Sequence, residues 1–353
     1  WVDIEGGTGT LFAYASAGAN ELPSGNVVHE GPALQLGKTG SFAGTHILVQ
    51  RGGLVVHINA FNFPVWGLLE KFAPSFLAGL PCIAKPATAT SYLTEALVRL
   101  MHESGLLPAG SLQLVIGSTG DLLDRLDGQD LVTFTGSADT AAKLRTNANL
   151  VARSVPFNAE ADSLNCAILA PDVNPDDEEF DLFVKEVARE MTVKAGQKCT
   201  AIRRAIVPHR HLDAVAEKLA ARLKKVVIGD PAVEGVRMGA LASRDQLADV
   251  AERVARLGRD NDVIFGAADG FAPVGEGVAG GAFFAPTLLR CRDGFGQDTV
   301  HDVEAFGPVS TLIPYDDLDA ALALAARGKG SLVTTLVTRD LGTAARAVPA
   351  LAA

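Results

Sequence analysis

Leu54-Val55-Val56-His57-Ile58-Asn59 is an apolar run with the length of a buried strand, and Ala60-Phe61-Asn62-Phe63-Pro64 closes it. A helical pattern follows over residues 67–79, with Leu68, Leu69, Phe72 and Phe76 spaced for one face. The alternation then repeats. Residues 80–84 read as a strand, 90–104 as a helix, 112–116 and 131–134 as strands, and 137 to about 147 as a helix. Strands alternating with helices predict a parallel sheet covered on both faces. Upstream, residues 1–50 are rich in Gly, Ser and Thr and offer one strand, 46–50, ended by the turn Arg51-Gly52-Gly53.

Downstream a second α/β set is expected. Residues 165–169 read as a strand and 177–193 as an amphipathic helix whose acidic start suits the helix dipole. A strand at 205–207, helices at 212–225 and 243–257, and strands at 310–314 and 332–338 around a helix at 317–327 follow. A last helix from about 341 should break at Pro349, leaving no clear terminal element. The expected division is therefore 1–158 and 159–353.

A length of 353 residues, 48% hydrophobic and 20% charged, suits two soluble domains with a substantial core. A net charge of −10 argues against nucleic acid or an anionic membrane as the main partner. An anionic cofactor stays open, because a phosphate site needs only local donors. Cys82, Cys166, Cys199 and Cys291 are scattered without Cys-x-x-Cys spacing. No metal site or disulfide framework is expected, and a reducing cytoplasm fits best. There is no signal-peptide pattern and no apolar run long enough for a bilayer. The first residue is Trp1, which points to a cut start.

Lys194-Ala195-Gly196-Gln197-Lys198-Cys199-Thr200 sits between the acidic helix and the strand at 205–207. A cysteine at such a junction, beside a glycine that admits close approach and a lysine that favours thiolate, is a candidate nucleophile. Three further segments end strands at the carboxyl edge, where open α/β sheets bind ligands: Asn59–Pro64, Lys85-Pro86-Ala87-Thr88 and Phe134-Thr135-Gly136-Ser137. Singly, Asn62 could be a turn cap, Lys85 a solvated strand end and Ser137 a helix cap. Together on one edge they outweigh those readings. Gly275-Glu276-Gly277-Val278-Ala279-Gly280 lacks a strand before it and a helix after it, so it reads as a surface loop. His209 and His211 read as a solvated turn.

The order Phe-Asn-Phe-Pro, Lys-Pro-Ala, Phe-Thr-Gly-Ser, Glu160, Gly-Gln-Lys-Cys and Glu304-Ala305-Phe306-Gly307-Pro308-Val309 resembles the aldehyde dehydrogenase superfamily. The agreement runs from about Arg51 to Val337. A narrower resemblance lies in Glu160-Ala161-Asp162-Ser163-Leu164-Asn165, Lys-Pro-Ala-Thr-Ala-Thr at 85–90 and Gly-Gln-Lys-Cys-Thr-Ala-Ile-Arg-Arg at 196–204. These resemble the CoA-linked semialdehyde dehydrogenases of aromatic ring cleavage.

The resemblance implies two Rossmann-like α/β domains with parallel sheets and an active site between them. Residues 1–158 would be the cofactor-binding domain and 159–353 the catalytic domain. Family members extend beyond both ends of this chain, so parts of both domains and the strands of a homodimer interface are expected to be missing. Cys199 matches the nucleophile that attacks the aldehyde, Asn62 and the Cys199 N–H the oxyanion donors, and Glu160 the base that activates water. Losing one such donor typically costs about 100- to 1000-fold. Glu160 also argues against the CoA-acylating branch of the family. Glu304 matches the carboxylate that holds the nicotinamide ribose, Phe306 the aromatic packed near it, and Lys85 the lysine at the adenosine ribose. Gly136 and Ser137 would face the pyrophosphate, although Ala141 stands where a second glycine is common. Thr88 occupies the position of a glutamate in many NAD-preferring relatives, which implies NADP as cofactor with NAD as the alternative. Lys198 then falls to a secondary role, turned to solvent or to a charged substrate tail.

The resulting expectation is a cytoplasmic enzyme that oxidises a CoA-linked semialdehyde to its acid with NADP. Two other readings stand beside it: a general aliphatic or aromatic aldehyde dehydrogenase, and a non-catalytic protein on the same fold.

Overall fold

The computed structural model describes residues 2–266 and 271–352. The chain divides into two compact units, residues 1–161 and 162–353. The expected boundary at 158/159 would cut a strand that belongs to the first unit. Glu160 therefore falls in the first unit and not the second.

In the first unit, helix α1 (Val2–Glu21) precedes short strands β1 (Val27–His29), β2 (Leu34–Gln35), β3 (Ala43–Gly44) and β4 (Ile47–Val49). The ribbons β1/β4 and β2/β3 are antiparallel. Then come β5 (Val55–Ile58), α2 (Trp66–Leu77), β6 (Cys82–Lys85), α3 (Ser91–Glu103), β7 (Leu112–Leu114), β8 (Leu131–Gly136), α4 (Ala138–Arg145), α5 (Ala148–Ala152) and β9 (Phe157–Ala161). The five strands form a sheet in the order β7-β6-β5-β8-β9, with every pair parallel. Alternation along β5 fills both faces. Val55 packs with Leu68, Phe72 and Ala84, and Val56 and Ile58 pack with Val132, Phe134 and Leu150.

Helix α1 was not expected from a glycine-rich segment, since glycine weakens helices. Its glycines instead permit close packing. A Cβ on Gly6 would lie 2.3 Å from the Trp66 ring, and one on Gly7 would lie 3.1 Å from the Trp66 Cα. Asp3 repays the contact by accepting from the Val65 and Trp66 N–H groups at 3.1 and 2.8 Å, which caps α2.

The second unit contains β10 (Cys166–Leu169), α6 (Glu178–Thr192), β11 (Arg204–Pro208), α7 (Leu212–Leu223), α8 (Arg244–Asp260), β12 (Asn261–Phe265), β13 (Thr287–Cys291), α9 (Thr299–Asp302), β14 (Val309–Tyr315), α10 (Leu318–Ala326), β15 (Thr334–Val337) and α11 (Leu341–Ala352). Its sheet order is β12-β13-β14-β11-β10-β15. All pairs are parallel except β12/β13, so the expected parallel sheet carries one antiparallel edge strand. One face holds Phe180, Phe183, Val187, Leu219 and Leu312, and the other Ile168, Ile206, Ile313 and Leu324.

The final helix does not break at Pro349. The proline forfeits one backbone bond, but Ala347 is buried and Leu351 packs against the core, so packing carries the helix to its end. The 275–280 segment is a loop, as expected. The histidine turn is not solvated throughout: His211 is buried and meets the Phe180 ring edge-on at 6.1 Å.

Candidate active site

The sequence-predicted residues fall into two sets, one in each unit. In the first unit they line the carboxyl edge of the sheet. Asn62 lies in the turn between β5 and α2, Lys85 ends β6, Gly136 ends β8, and Glu160 is the fourth residue of β9, paired in register with Thr135. Strand order reverses between β5 and β8, the switch point where open sheets bind ligands.

Each of these side chains has a local account. Lys85 is half-buried, and burial holds its ammonium below the usual lysine range. Thr88 is exposed and begins a single 3-10 turn. Ser137 caps α4: its Oγ accepts from the Thr140 N–H at 3.3 Å. Ala141 is buried in the core beneath that helix.

A cleft of about 620 Å³ opens in this unit, with Glu160, Thr135, His57 and Lys71 among its walls. His57 is fully buried, its Nδ1 2.7 Å from Thr133 Oγ1 and its Nε2 3.3 Å from Ser75 Oγ. Ser75 donates to the Lys71 carbonyl, so the tautomer protonated on Nε2 satisfies the chain. Burial, and then the Lys71 charge, push the ring down to about 3. Lys71 and His57 escaped sequence reasoning; both lie within ordinary-looking strand and helix patterns.

In the second unit the cysteine loop sits at the amino ends of the strands. It leaves α6 through Lys194, Ala195 and Gly196, with φ of 54°, 51° and 68°. Three consecutive left-handed residues are costly unless the surroundings fix them. The fixing contacts are visible. Gly196 lies so near Gly307 and Pro308 that a Cβ would come 2.2 Å from the Gly307 oxygen. Gln197 is buried, accepts from the Ala242 N–H at 2.9 Å and reaches the Phe306 carbonyl at 3.3 Å. Asn165 Nδ2 donates to the Cys199 carbonyl at 2.7 Å and the Ala201 carbonyl at 3.2 Å.

Cys199 is partly accessible, whereas Cys82, Cys166 and Cys291 are buried. Burial raises all three buried thiols, Cys82 and Cys291 to about 11. Lys198 is not turned to solvent: its Nζ lies 2.6 Å from Glu190 Oε1, and both side chains are largely buried. An ammonium tied to a carboxylate is a poor activator of a neighbouring thiol.

Glu304 and Phe306 stand beside the same loop. Glu304 accepts from the Ser163 N–H at 3.2 Å and lies 3.5 Å from Arg203. Burial raises its carboxyl above the usual range, and Arg203 partly offsets this. Its Oε1 is buried and faces Arg203 Nε at a distance too long for a good hydrogen bond. Arg203, which sequence reasoning quoted but gave no role, contacts this whole constellation. Among the described residues no helix is long and apolar enough to cross a membrane, and no cluster is placed to hold a metal ion.

Ligand-edge loops on one parallel sheet, and a strained cysteine loop beside a buried carboxylate on another, mark the chain as an α/β enzyme. It belongs to the aldehyde dehydrogenase family, nicotinamide-dependent oxidoreductases, whose sequence profile matches residues 24–353. It is 48% identical over 350 residues to the 3,4-dehydroadipyl-CoA semialdehyde dehydrogenase of Aromatoleum evansii, covering 99% of this chain and 68% of that protein. It is 30% identical over 308 residues to the glutarate-semialdehyde dehydrogenase of Pseudomonas putida, covering 86% of this chain and 60% of the relative. Among solved structures, betaine aldehyde dehydrogenase of Staphylococcus aureus in complex with NAD+ matches with a TM-score of 0.82 and 22% identity. That match covers 99% of this chain and 65% of the other, and it shows the fold.

Proposed function

We propose that the intact protein oxidises a CoA-linked semialdehyde to the carboxylic acid with NADP, in the cytoplasm and as a homodimer. The observation that carries the substrate class is the 48% identity over almost the whole chain to a dehydrogenase of that kind. The accessible Cys199, alone of the four cysteines outside the core, supports the chemistry.

In this reading Cys199 attacks the aldehyde carbon, and the Asn62 amide and the Cys199 N–H hold the oxyanion that develops. The bound nicotinamide supplies the hydride acceptor. Glu304 and Phe306 hold the nicotinamide end, Lys85 and Thr88 the adenosine end, and Gly136 and Ser137 the pyrophosphate. Glu160 then activates the water that hydrolyses the Cys199 thioester. Glu160 is among the residues that line a cleft in the first unit, which fits access by water. Thr88 brings no negative charge to the adenosine ribose, and Lys85 can pair with a 2′-phosphate, which favours NADP over NAD.

The test is aldehyde-dependent NADPH formation by the full-length protein, with CoA-linked and free semialdehydes compared. Cys199→Ala should abolish turnover. Glu160→Gln should keep the pre-steady-state burst and slow the steady rate by about 100-fold or more, from the lower end of a general base's contribution upward. Retained turnover in the first variant, or an unchanged steady rate in the second, would overturn the residue roles. Equal turnover of free semialdehydes would overturn the substrate class.

A further inference from the structure

Arg203 lies just ahead of β11 and is buried to 5% exposure. Its guanidinium binds two loops at once. Nη1 donates to the Gly307 carbonyl at 2.7 Å, and Nη2 to the carbonyls of Gly196 at 2.8 Å and Lys198 at 3.3 Å. Nε faces Glu304 Oε1 at 3.5 Å, and the guanidinium carbon stands 5.2 Å from the centre of the Phe306 ring. A planar fork with several fixed donors can do this; a lysine cannot. We infer that Arg203 is a positioning residue that locks the cysteine loop to the Glu304–Phe306 segment, so that the nucleophile and the cofactor-holding carboxylate are set by one side chain. This deepens the proposed function and rests on Glu304 meeting the nicotinamide ribose.

The charges around the pair support the assignment. Glu304 is faced by Arg203 and, less favourably, by Asp162; Arg203 is faced by Glu304, Glu190 and Cys199. Arg203 is thus the cation that opposes the rise burial imposes on the Glu304 carboxyl, and its charge also reaches Cys199. Neither effect follows from a merely structural arginine that ties carbonyls together. Asn165 and Ser163 complete the lock from the other side, through the Cys199 carbonyl and the Glu304 carboxylate.

The experiment compares Arg203→Met, Arg203→Lys and Glu304→Gln in the full-length protein. Equilibrium NADP binding is followed by fluorescence from pH 6 to 9, and alkylation of Cys199 by iodoacetamide is followed by mass spectrometry. In Arg203→Met, NADP binding should weaken about 10-fold, the order expected for losing a charged hydrogen-bond partner. The pH below which binding falls off should move upward, because Glu304 loses its cation. Cys199 alkylation at pH 7 should slow. Arg203→Lys should restore the pH profile but only part of the affinity, and it carries the test if the methionine variant does not fold. Glu304→Gln should bind weakly at every pH. The inference is overturned if the Arg203 variants bind NADP within twofold of wild type, with the same pH profile, while Glu304→Gln does not. If Glu304→Gln itself binds like wild type, the ribose role of Glu304 fails separately. Alkylation of Cys199 then decides: an unchanged rate in the Arg203 variants overturns the inference, and a slowed rate upholds the hold on the cysteine loop.

Discussion

Gly196→Ala should disable the cysteine loop by pushing it off its neighbour. Gly196 has a φ of +68°, where an L side chain costs about 1–2 kcal/mol. The added Cβ would lie 2.2 Å from the Gly307 oxygen and 2.9 Å from the Pro308 Cα, against ordinary contact from 3.4 Å. Backbone atoms of a packed interior cannot swing aside, so the two loops must part by roughly 1 Å. Arg203 holds both carbonyls, Gly196 at 2.8 Å and Gly307 at 2.7 Å, and must release one. A lost charged hydrogen bond costs about 1.5–3 kcal/mol. The total is roughly 3–5 kcal/mol, or a fall of about 10 °C in Tm for a unit of this size. A nucleophile displaced by roughly 1 Å should lose about 100-fold in rate. The assays are differential scanning calorimetry, steady-state NADPH formation and the rate of Cys199 alkylation. Lys194→Gly, at φ 54° in the same loop, is the control, since glycine relieves strain there without a clash. Wild-type Tm and a rate within threefold in Gly196→Ala would refute the view that this contact sets the loop.

Thr88→Glu should turn cofactor preference toward NAD: a carboxylate three residues past Lys85 repels a 2′-phosphate, and NADP efficiency should fall at least 10-fold, about 1.4 kcal/mol. Unchanged NADP efficiency would remove Thr88 from the cofactor site. Acid should destabilise the first unit through His57, whose ring is held down to about 3 when folded, against an ordinary value of 6.5. The unfolded chain binds the proton first, so stability is full above pH 6.5 and falls as pH drops toward 3; the loss from this ring is about 2 kcal/mol at pH 5. His57→Gln should flatten that part of the urea-unfolding profile between pH 6.5 and 5, and an unchanged slope would show that the ring titrates elsewhere.

Most strands and helices were legible because each buries a face with its own period. What escaped did so for identifiable reasons. Helix α1 hides behind Gly6 and Gly7, whose purpose is contact with Trp66, a partner about 60 residues away. Strand β9 runs Phe157-Asn158-Ala159-Glu160-Ala161, too polar and too short to read as a buried strand, and only its pairing with β8 assigns Glu160 to the first unit. Strand β12 begins directly after α8, and its opening Asn261-Asp262 reads as a turn rather than as a strand. The contacts that support the candidate site were not legible. Lys198 looked like an activator because it adjoins Cys199, yet its partner is Glu190, eight residues upstream on α6.

Arg203 and Arg204 carry the same lesson further. Two adjacent arginines in an apolar context read simply as charge. At the start of a strand, neighbouring side chains point to opposite sides, and here the two separate completely. Arg203 turns to Gly196, Lys198, Gly307 and Glu304. Arg204, 1% exposed, turns the other way and donates to the carbonyls of Leu164, Leu324 and Ala325 and to His301 Nδ1. It thereby caps the carboxyl end of α10, where a cation suits the dipole. His301 can accept only as a neutral ring, and burial pushes it down to about 4. Arg203 meets a carboxylate and lies within electrostatic reach of Cys199, so its charge can act on both. Arg204 meets carbonyls and a neutral histidine, and its charge acts on His301 and the buried Cys166, away from the candidate site. Identical residue types one position apart thus divide into a lock for the site and a fastener for the fold, and strand geometry makes the division.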